Sequence, residues 1–296
     1  MAADAIVCER LTKAYGKHRG IEDIDLRVTP GEAFGFLGPN GAGKSTTIRT
    51  LMGFLRPTGG QAKIFGHDCW REAVAVARQV GNLPGDFVYD EQMTGWEVIR
   101  HVARLRGHDD LDHARELAER LQADMDRPLR HLSRGNHQKV GLVQAMFHRP
   151  ELLLLDEPTG GLDPLMQETF LDLVGEARQR GATVFLSSHN LDEVHRVCER
   201  VGIIREGRLI AVENIGDLIR GALRHVRVVL GTPADPAPFA ALPGAQDVRA
   251  DGASVTLRLA GDVAPLVRLV ADLDVVDLEI GRASLEEVFL SYYGRT

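Results

Sequence analysis

The chain has 296 residues, of which 44% are hydrophobic and 26% charged, a composition typical of an ordinary globular protein with one large or two medium domains. Its net charge of −7 argues against a nucleic acid as the main partner, because neutralising phosphates needs a basic surface. No apolar run approaches the roughly 18 to 20 residues of a membrane span, and the first residues lack a secretory signal pattern, so we expect a soluble, intracellular chain.

The first part of the chain alternates predicted strands with short helices. Short apolar or alternating runs predict strands at residues 5–11, 24–28, 33–37, 59–66 and 79–83, with a turn region at 15–23. Apolar residues at helical spacing predict helices at 44–52 and 71–77.

A glycine-rich stretch, "GPNGAGKST" at 38–46, lies between the third strand and the next helix. Its glycines let successive backbone N–H groups point into one concavity at a helix N-terminus, where an anion is favoured. Lys44 adds a positive charge for the outer phosphates, and the Ser45 hydroxyl can bind Mg²⁺. Kinases, GTPases, motors and transporter ATPases share this loop. The predicted nucleotide-binding residues are Gly38, Pro39, Asn40, Gly41, Ala42, Gly43, Lys44, Ser45 and Thr46.

Residues 94–148 are predicted to be almost wholly helical and to form an inserted subdomain at about 89–148. Strands are then predicted at 152–156 and 183–188, and helices at 164–181 and 191–201. Strands that alternate with helices imply an α/β fold with a parallel sheet.

The apolar strand at 152–156 brings Asp156 and Glu157 to its carboxyl end, where open α/β sheets bind ligands. Asp156 suits Mg²⁺, and Glu157 is placed to accept a proton from water. By itself such an acidic pair is often a helix N-cap, but the phosphate loop favours the catalytic interpretation. One strand later, His189 would lie beside the outermost phosphate, unless it is an ordinary solvated or packing residue.

These motifs, in this order, resemble those of the ATP-binding cassette (ABC) ATPases over roughly residues 6–216. "GPNGAGKST" resembles the phosphate loop and "LLLLDE" the Walker B strand of that family. "LSRGNHQKV" at 132–140 resembles the ABC signature, "GGLDP" at 160–164 the D-loop, and "SSHN" the switch-histidine loop. The signature is the most specific of these segments, because kinases and GTPases lack it.

The resemblance implies a P-loop NTPase core, with ATP and Mg²⁺ as cofactors. It implies catalytic roles for Lys44, Glu157 and His189, and Mg²⁺ ligation by Ser45 and Asp156. Further nucleotide contacts are implied for Tyr15, Ser133, Gly135 and Asp163.

The residues themselves also bear on the contacts implied for Ser133, Gly135 and Tyr15. Ser133 precedes the helix that begins at 134, so its hydroxyl, the Gly135 amide and the helix dipole make a second anion site. In the family that site serves the other subunit's ATP, so the resemblance implies a dimer. Tyr15 matches the aromatic residue that stacks on adenine, although a half-buried tyrosine at a strand end is the alternative.

The chain departs from the family pattern at two places. In the signature, Arg134 stands where the family has a glycine and Asn136 where it has a glutamine, while Gln138 matches a later glutamine. After "LP", Gly85 replaces the glutamine that in the family contacts Mg²⁺ and the attacking water. Asp86 or a water molecule could take that place.

Beyond about residue 220, the patterns predict a small α+β domain over 221–296, following a nucleotide-binding domain over 1–220. Strands are predicted at 224–230, 254–260 and 275–280, helices at 262–273 and 284–293, and a proline- and alanine-rich loop at 231–245. The domain would support a dimer or regulate the enzyme. Cys8, Cys69 and Cys198 are far apart, without the spacing of a metal site, and are expected to be reduced thiols.

Two functions remain in competition. The first is the ATPase subunit of a bacterial exporter of drugs or antibiotics, which some segments resemble, working with separately encoded membrane subunits and a second copy at the cytoplasmic face of the membrane. The second is a non-transport ABC ATPase that acts on nucleic acid or ribosomes. The single cassette and acidic balance favour the exporter, without a nucleic-acid partner. The transported substrate is not encoded in this chain.

Overall fold

The computed structural model describes residues 4–16, 18–86, 89–221 and 223–281. The chain forms two compact units, Met1–Val212 and Glu213–Thr296, so the division comes somewhat before the predicted boundary at 220. Each unit has its own sheet system and its own core.

The strands of the first unit form two sheets. They are β1 Ile6–Tyr15, β2 His18–Val28, β3 Ala33–Leu37, β4 Gly59–Ile64, β5 His67–Asp68, β6 Val80–Leu83, β7 Leu152–Asp156, β8 Thr183–Ser188, β9 Arg200–Arg205 and β10 Arg208–Asn214. A four-stranded sheet has the order β2-β1-β4-β5 and is antiparallel; a six-stranded sheet has the order β10-β9-β3-β8-β7-β6. In the second sheet, β6, β7, β8, β3 and β9 pair in parallel, as the alternation of strands and helices predicts.

Helices connect the parallel strands. They are α1 Lys44–Leu51, α2 Ala73–Gln79, α3 Gly95–Arg106, α4 Asp112–Arg120, α5 Arg134–Met146, α6 Pro164–Gln179 and α7 Leu191–Val197. α3, α4 and α5 lie between β6 and β7, where the inserted helical subdomain was predicted. α3 begins with a complete capping box, in which Thr94 and Glu97 each bind the other's backbone N–H.

Three details of the predicted elements are wrong. Most of the expected turn at 15–23 is strand, because β2 begins at His18 and pairs with Tyr15 across a tight reversal. Register shifts in β1 and the left-handed φ of Asp23 (47°) interrupt the alternation that marks a strand. The helix predicted at 191–201 ends at Val197, and both β9 and β10 were missed because β9 follows that helix almost directly.

The second unit contains α8 Ile215–Gly221, β11 Arg224–Leu230, α9 Ala237–Ala240, β12 Ala245–Asp251, β13 Ser254–Leu259, α10 Ala264–Ala271 and β14 Val275–Ile280. From β11 onward the order is βαββαβ, and the antiparallel sheet order is β12-β13-β11-β14, which is the split-βαβ arrangement of ferredoxin-like domains. β12 and α9 were missed in a stretch of mostly polar, alanine and proline residues. The helix predicted at 284–293 lies outside the described residues.

All three cysteines are buried free thiols. Burial raises the pKa of Cys8 to about 12 and also raises the pKa of Cys69 and Cys198, so the thiolate form is disfavoured at all three. Over the described ranges, the helices lack the combination of length and apolarity that crossing a membrane requires.

Candidate functional site

The register of the parallel sheet brings three chain segments to one edge. Leu37, the last residue of β3, pairs with Ser188 at the end of β8, and Asp156 at the end of β7 pairs with Ser187. The residues that follow these strands are therefore neighbours at the carboxyl edge of the sheet. They include the glycine-rich loop, Glu157 and His189.

The glycine-rich loop needs its glycines for conformation and for space. Gly41 and Gly43 have φ values of 79° and 112°, in the left-handed region that other residues rarely adopt. A Cβ on Gly38 would lie 2.5 Å from the Ile204 carbonyl oxygen. Gly43 precedes α1, whose N-terminus has no side-chain cap and no acidic residue in its first turn. The free amides and the helix dipole therefore favour an anion at this end.

Lys44 is folded back into this loop and is only 6% exposed. Its Nζ donates hydrogen bonds to the carbonyl oxygens of Gly38 at 2.6 Å and Pro39 at 3.2 Å. The same Nζ lies 3.1 Å from Glu157 Oε1, an ion pair between the loop and the residue after β7. A buried cation therefore stands at the anion-favouring end of α1.

Glu157 is held tightly at the end of β7. Its φ of 50° is left-handed, and its backbone N–H donates to the Ser187 carbonyl oxygen at 3.1 Å and to Ser187 Oγ at 3.2 Å. Its Oε2 is 2.7 Å from Nδ1 of His189, which is largely exposed. The carboxylate thus bridges Lys44 and His189. The next helix along the chain, α6, is capped by Asp163 rather than by Glu157, which argues against the N-cap interpretation.

Asp156 is 2% exposed and accepts a hydrogen bond from Ser187 Oγ at 2.5 Å. Its other carboxylate oxygen faces the loop after β6, since a Cβ on Gly85 would lie 2.9 Å from Oδ2. Asp86, the candidate to replace the missing glutamine, is directed elsewhere: its carboxylate is 84% exposed and 3.6 Å from Arg49 of α1. The Gly85 backbone, rather than a side chain, therefore borders Asp156.

The predicted signature and D-loop pack against each other. Ser133 caps α5 by accepting the Asn136 N–H at 3.2 Å, and a Cβ on Gly135 would lie 2.4 Å from the Gly161 carbonyl oxygen. Ser133, Gly161 and Asp163 are all exposed. This pair of segments therefore forms one surface with exposed residues on both sides.

Two side chains, those of Gln138 and Asn136, connect that surface to the rest of the unit. Gln138 Nε2 donates to the carbonyl oxygens of Glu157 at 3.1 Å and Pro158 at 2.9 Å, which connects α5 to the end of β7. Asn136, one of the departures from the family pattern, exchanges two hydrogen bonds of 2.9 Å with the Asp124 backbone. Its amide therefore holds the turn before the signature.

Tyr15 packs against a glycine next to the phosphate loop, and Asp163 caps a helix. The Tyr15 ring covers Gly20, where a Cβ would lie 2.8 Å from the ring, and the Gly20 carbonyl oxygen in turn borders Gly43. The ring is 43% exposed, so Tyr15 lies next to the loop and is accessible. Asp163 caps α6 by accepting the Met166 N–H at 3.0 Å. Nucleotide contacts by Tyr15 and Asp163 stay predictions.

Ser187 was missed by reasoning from the sequence, although it contacts both acidic residues. It is fully buried and binds the Asp156 carboxylate and the Glu157 backbone. The signal was present in the "SS" that ends an otherwise apolar strand, because a polar residue buried at the carboxyl edge of a sheet needs a partner there.

Residues 21–160 match a family model described as ABC transporter. The chain is 37% identical to the bacitracin transport ATP-binding protein BcrA of Bacillus licheniformis, over 68% of this chain and 66% of that protein. It is 35% identical to the daunorubicin/doxorubicin resistance ATP-binding protein DrrA of Streptomyces peucetius, over 98% of this chain and 92% of that protein. A solved ATP-binding subunit of an ABC transporter is 31% identical, with a TM-score of 0.67, over 73% of this chain and 92% of its own.

Proposed function

The chain belongs to the ABC transporter family of ATP-binding proteins, and from this we propose that it is the ATPase subunit of a bacterial exporter of a drug or antibiotic-like substrate. One observation carries the ATPase part: Lys44, Glu157 and His189 form one contact chain at the edge of the sheet, beside a loop shaped for phosphate. The exporter part is supported by relatives named for bacitracin transport and daunorubicin resistance.

In this proposal the loop at 38–46 binds the phosphates of ATP, and Lys44 neutralises the outer ones. Glu157 accepts the proton of the attacking water, and His189 hydrogen-bonds the transferring oxygens. Ser45 and Asp156 fit Mg²⁺, which prefers few carboxylate ligands and keeps several waters. When bound, Mg²⁺ neutralises charge that develops between the outer phosphates.

We further propose that two copies assemble around ATP, with Ser133 of one facing the phosphate loop of the other. The surface formed by the exposed Ser133 and Gly161 and the half-buried Gly135 offers a helix N-terminus to an anion from outside the subunit. Leu165, at the start of α6 beside this surface, is 66% exposed, which suits contact with a second subunit.

Mixing two inactive variants tests this arrangement. We expect neither Lys44→Ala nor Ser133→Ala to form an ATP-dependent dimer alone, because both sites of each homodimer are broken. In the mixture, a heterodimer has one intact composite site, so light scattering should detect ATP-dependent dimers.

Thr94→Ala is the matched control, because it also removes an N-cap worth ~0.5–2 kcal/mol but lies in α3. Mixed with Lys44→Ala, it should dimerise as the wild-type chain does in the same mixture. If Ser133→Ala alone dimerises normally with ATP, the proposed role of Ser133 is wrong.

The membrane part of the exporter would be supplied by separately encoded permease subunits, which place this chain at the cytoplasmic face of the membrane. The test is ATP-dependent uptake of daunorubicin into inverted vesicles that contain the chain and the membrane protein that co-purifies with it. Uptake should vanish when the chain is replaced by Lys44→Ala. Co-purification with ribosomes or nucleic acid, and with no membrane protein, would instead support the non-transport alternative.

A further inference from the structure

The sheet of the second unit has one apolar face and one charged face. Val226, Val228, Val255 and Leu257 are buried in the core of the unit. Because side chains alternate along a strand, the residues between them point to the opposite face. The neighbours on that face include Arg227 and Thr256, both exposed.

A cavity of about 350 Å³ lies over this charged face. All four strands line it, with four basic side chains and two acidic ones: His225, Arg227, Arg249, Arg258, Asp247 and Glu279. Its size is within the range of small-molecule sites. Phenylalanine, tyrosine and tryptophan are absent from the described lining, so the face does not offer the broad stacking surface that single-stranded nucleic acid needs.

Two arginines stand in one row across the sheet. Thr256 of β13 pairs with Arg249 of β12 on one side and with Arg227 of β11 on the other. Neighbouring strands are ~4.8 Å apart, so the two arginine backbones are ~10 Å apart and their long side chains can converge above Thr256.

Neither of these two guanidinium groups is paired with a residue that the structure describes. Among the described residues, the side chains of Arg227 and Arg249 make no hydrogen bond and no ion pair, although Glu279 is the cross-strand neighbour of Arg227. Arg258, in the next row, is differently placed, with Asp247 at 3.6 Å. Two like charges that share a concave surface repel each other, and an anion between them removes that repulsion.

We propose that this face binds a small ligand with two anionic phosphate groups, held by Arg227 and Arg249 above Thr256. Each guanidinium presents a planar pair of N–H donors that matches phosphate oxygens, and the Thr256 hydroxyl lies between them as a further donor. The phosphate can come from a free metabolite or from a phospholipid headgroup. The site is in the second unit and does not depend on the proposed ATPase function.

The test is calorimetric titration of the full chain with pyrophosphate, after its nucleotide site has been saturated with ADP. We expect Arg227→Gln and Arg249→Gln each to weaken binding by ~10-fold or more, since each removes a charge-assisted contact. Arg268→Gln is the matched control: Arg268 lies on α10 and donates to the Ala264 carbonyl oxygen, so affinity should stay unchanged.

Vesicles that contain cardiolipin, a phospholipid with two phosphate groups in its headgroup, separate the two sources of phosphate. Binding of vesicles that is lost in both arginine variants assigns the site to a headgroup, and binding of pyrophosphate alone assigns it to a free ligand. The proposal would be overturned if Arg227→Gln, Arg249→Gln and Arg268→Gln all bound with wild-type affinity. It would also be overturned if the wild-type chain bound neither probe. The arginine variants should unfold at the wild-type temperature, since both side chains are exposed and pair with no described residue. Equal unfolding temperatures would exclude misfolding as the cause of weaker binding.

Discussion

Replacing Lys44 with alanine should weaken ATP binding by roughly 10- to 150-fold, the expected loss of one hydrogen bond to a charged group. Hydrolysis should fall further, by ~100-fold or more, because Lys44 also faces the charge that develops as the outer phosphate is transferred. The glycines that shape the loop stay in place. Equilibrium binding of a fluorescent ATP analogue and phosphate release on the same sample measure the two effects.

The structure adds a second consequence of this change. Lys44 is the cation beside Glu157 Oε1, which has no hydrogen bond among the described residues, so the alanine variant leaves that buried oxygen unpaired. Lys63→Ala, on β4, is the matched control and should bind and hydrolyse ATP normally. Normal turnover by a well-folded Lys44→Ala variant would contradict the assignment of the site.

The parallel sheet was predictable because its central strands are mostly apolar. β3, β7 and β8 are buried along their whole length, and such runs between helices have few alternatives. β9 and β10 were not predictable in the same way. β9 follows α7 almost directly, and β10 is only half-buried, so neither is separated from its surroundings by a clear pattern.

That Lys44, Glu157 and His189 lie at one edge of the sheet was predictable, since each belongs to a motif that follows a parallel strand. Their contacts were not. The ion pair of Lys44 with Glu157 and the contact of Glu157 with His189 depend on the register of β3, β7 and β8, which the sequence leaves open. The direction of Asp86 toward Arg49 depends on the path of a loop whose sequence, "PGD", indicates a turn without giving its orientation.

In the second unit, the sequence predicted strands and helices but not the ferredoxin-like order, because β12 was missed. That strand is largely exposed and contains Gln246, Asp247 and Arg249, so it has almost no apolar side to reveal it. The same exposure places Arg249 on the charged face. The polar, exposed sequence of β12 therefore has two effects: it makes the strand hard to predict, and it supplies Arg249 to the proposed phosphate site.

Replacing Glu157 with glutamine should slow ATP hydrolysis by ~10² to 10⁴-fold, or about 3 to 5 kcal/mol of barrier, since an amide cannot accept the proton of the attacking water. The change is nearly isosteric. The backbone contacts of residue 157 with Ser187 and Gln138 do not involve the carboxylate, so they should persist. ATP binding should therefore be spared.

The loop at Gly85 is expected to affect the basal rate of ATP hydrolysis by the wild-type chain. The backbone of Gly85 lies against Asp156, and Asp86 is turned toward Arg49, so neither of these two residues supplies the side chain that the family's glutamine has there. We expect the attacking water to be less well held and basal turnover of the isolated subunit to be low. Brisk hydrolysis by the wild-type chain alone would contradict this expectation and leave the role of Glu157 untouched.

The decisive measurement on Glu157→Gln takes the ATPase rate and the ATP-dependent dimer fraction from one sample. A variant that binds ATP, cannot hydrolyse it and keeps its fold should accumulate as an ATP-bound dimer, with the membrane partner held in one state. Glu168→Gln is the matched control, because Glu168 pairs with Arg196 on the surface of α6, and its loss should leave turnover normal. A purely structural Glu157 would give the opposite pattern: a lowered melting temperature, near-normal turnover per folded molecule and no trapped dimer. Since its carboxylate contacts Lys44 and His189 rather than the amides of a helix, we expect the trapped dimer.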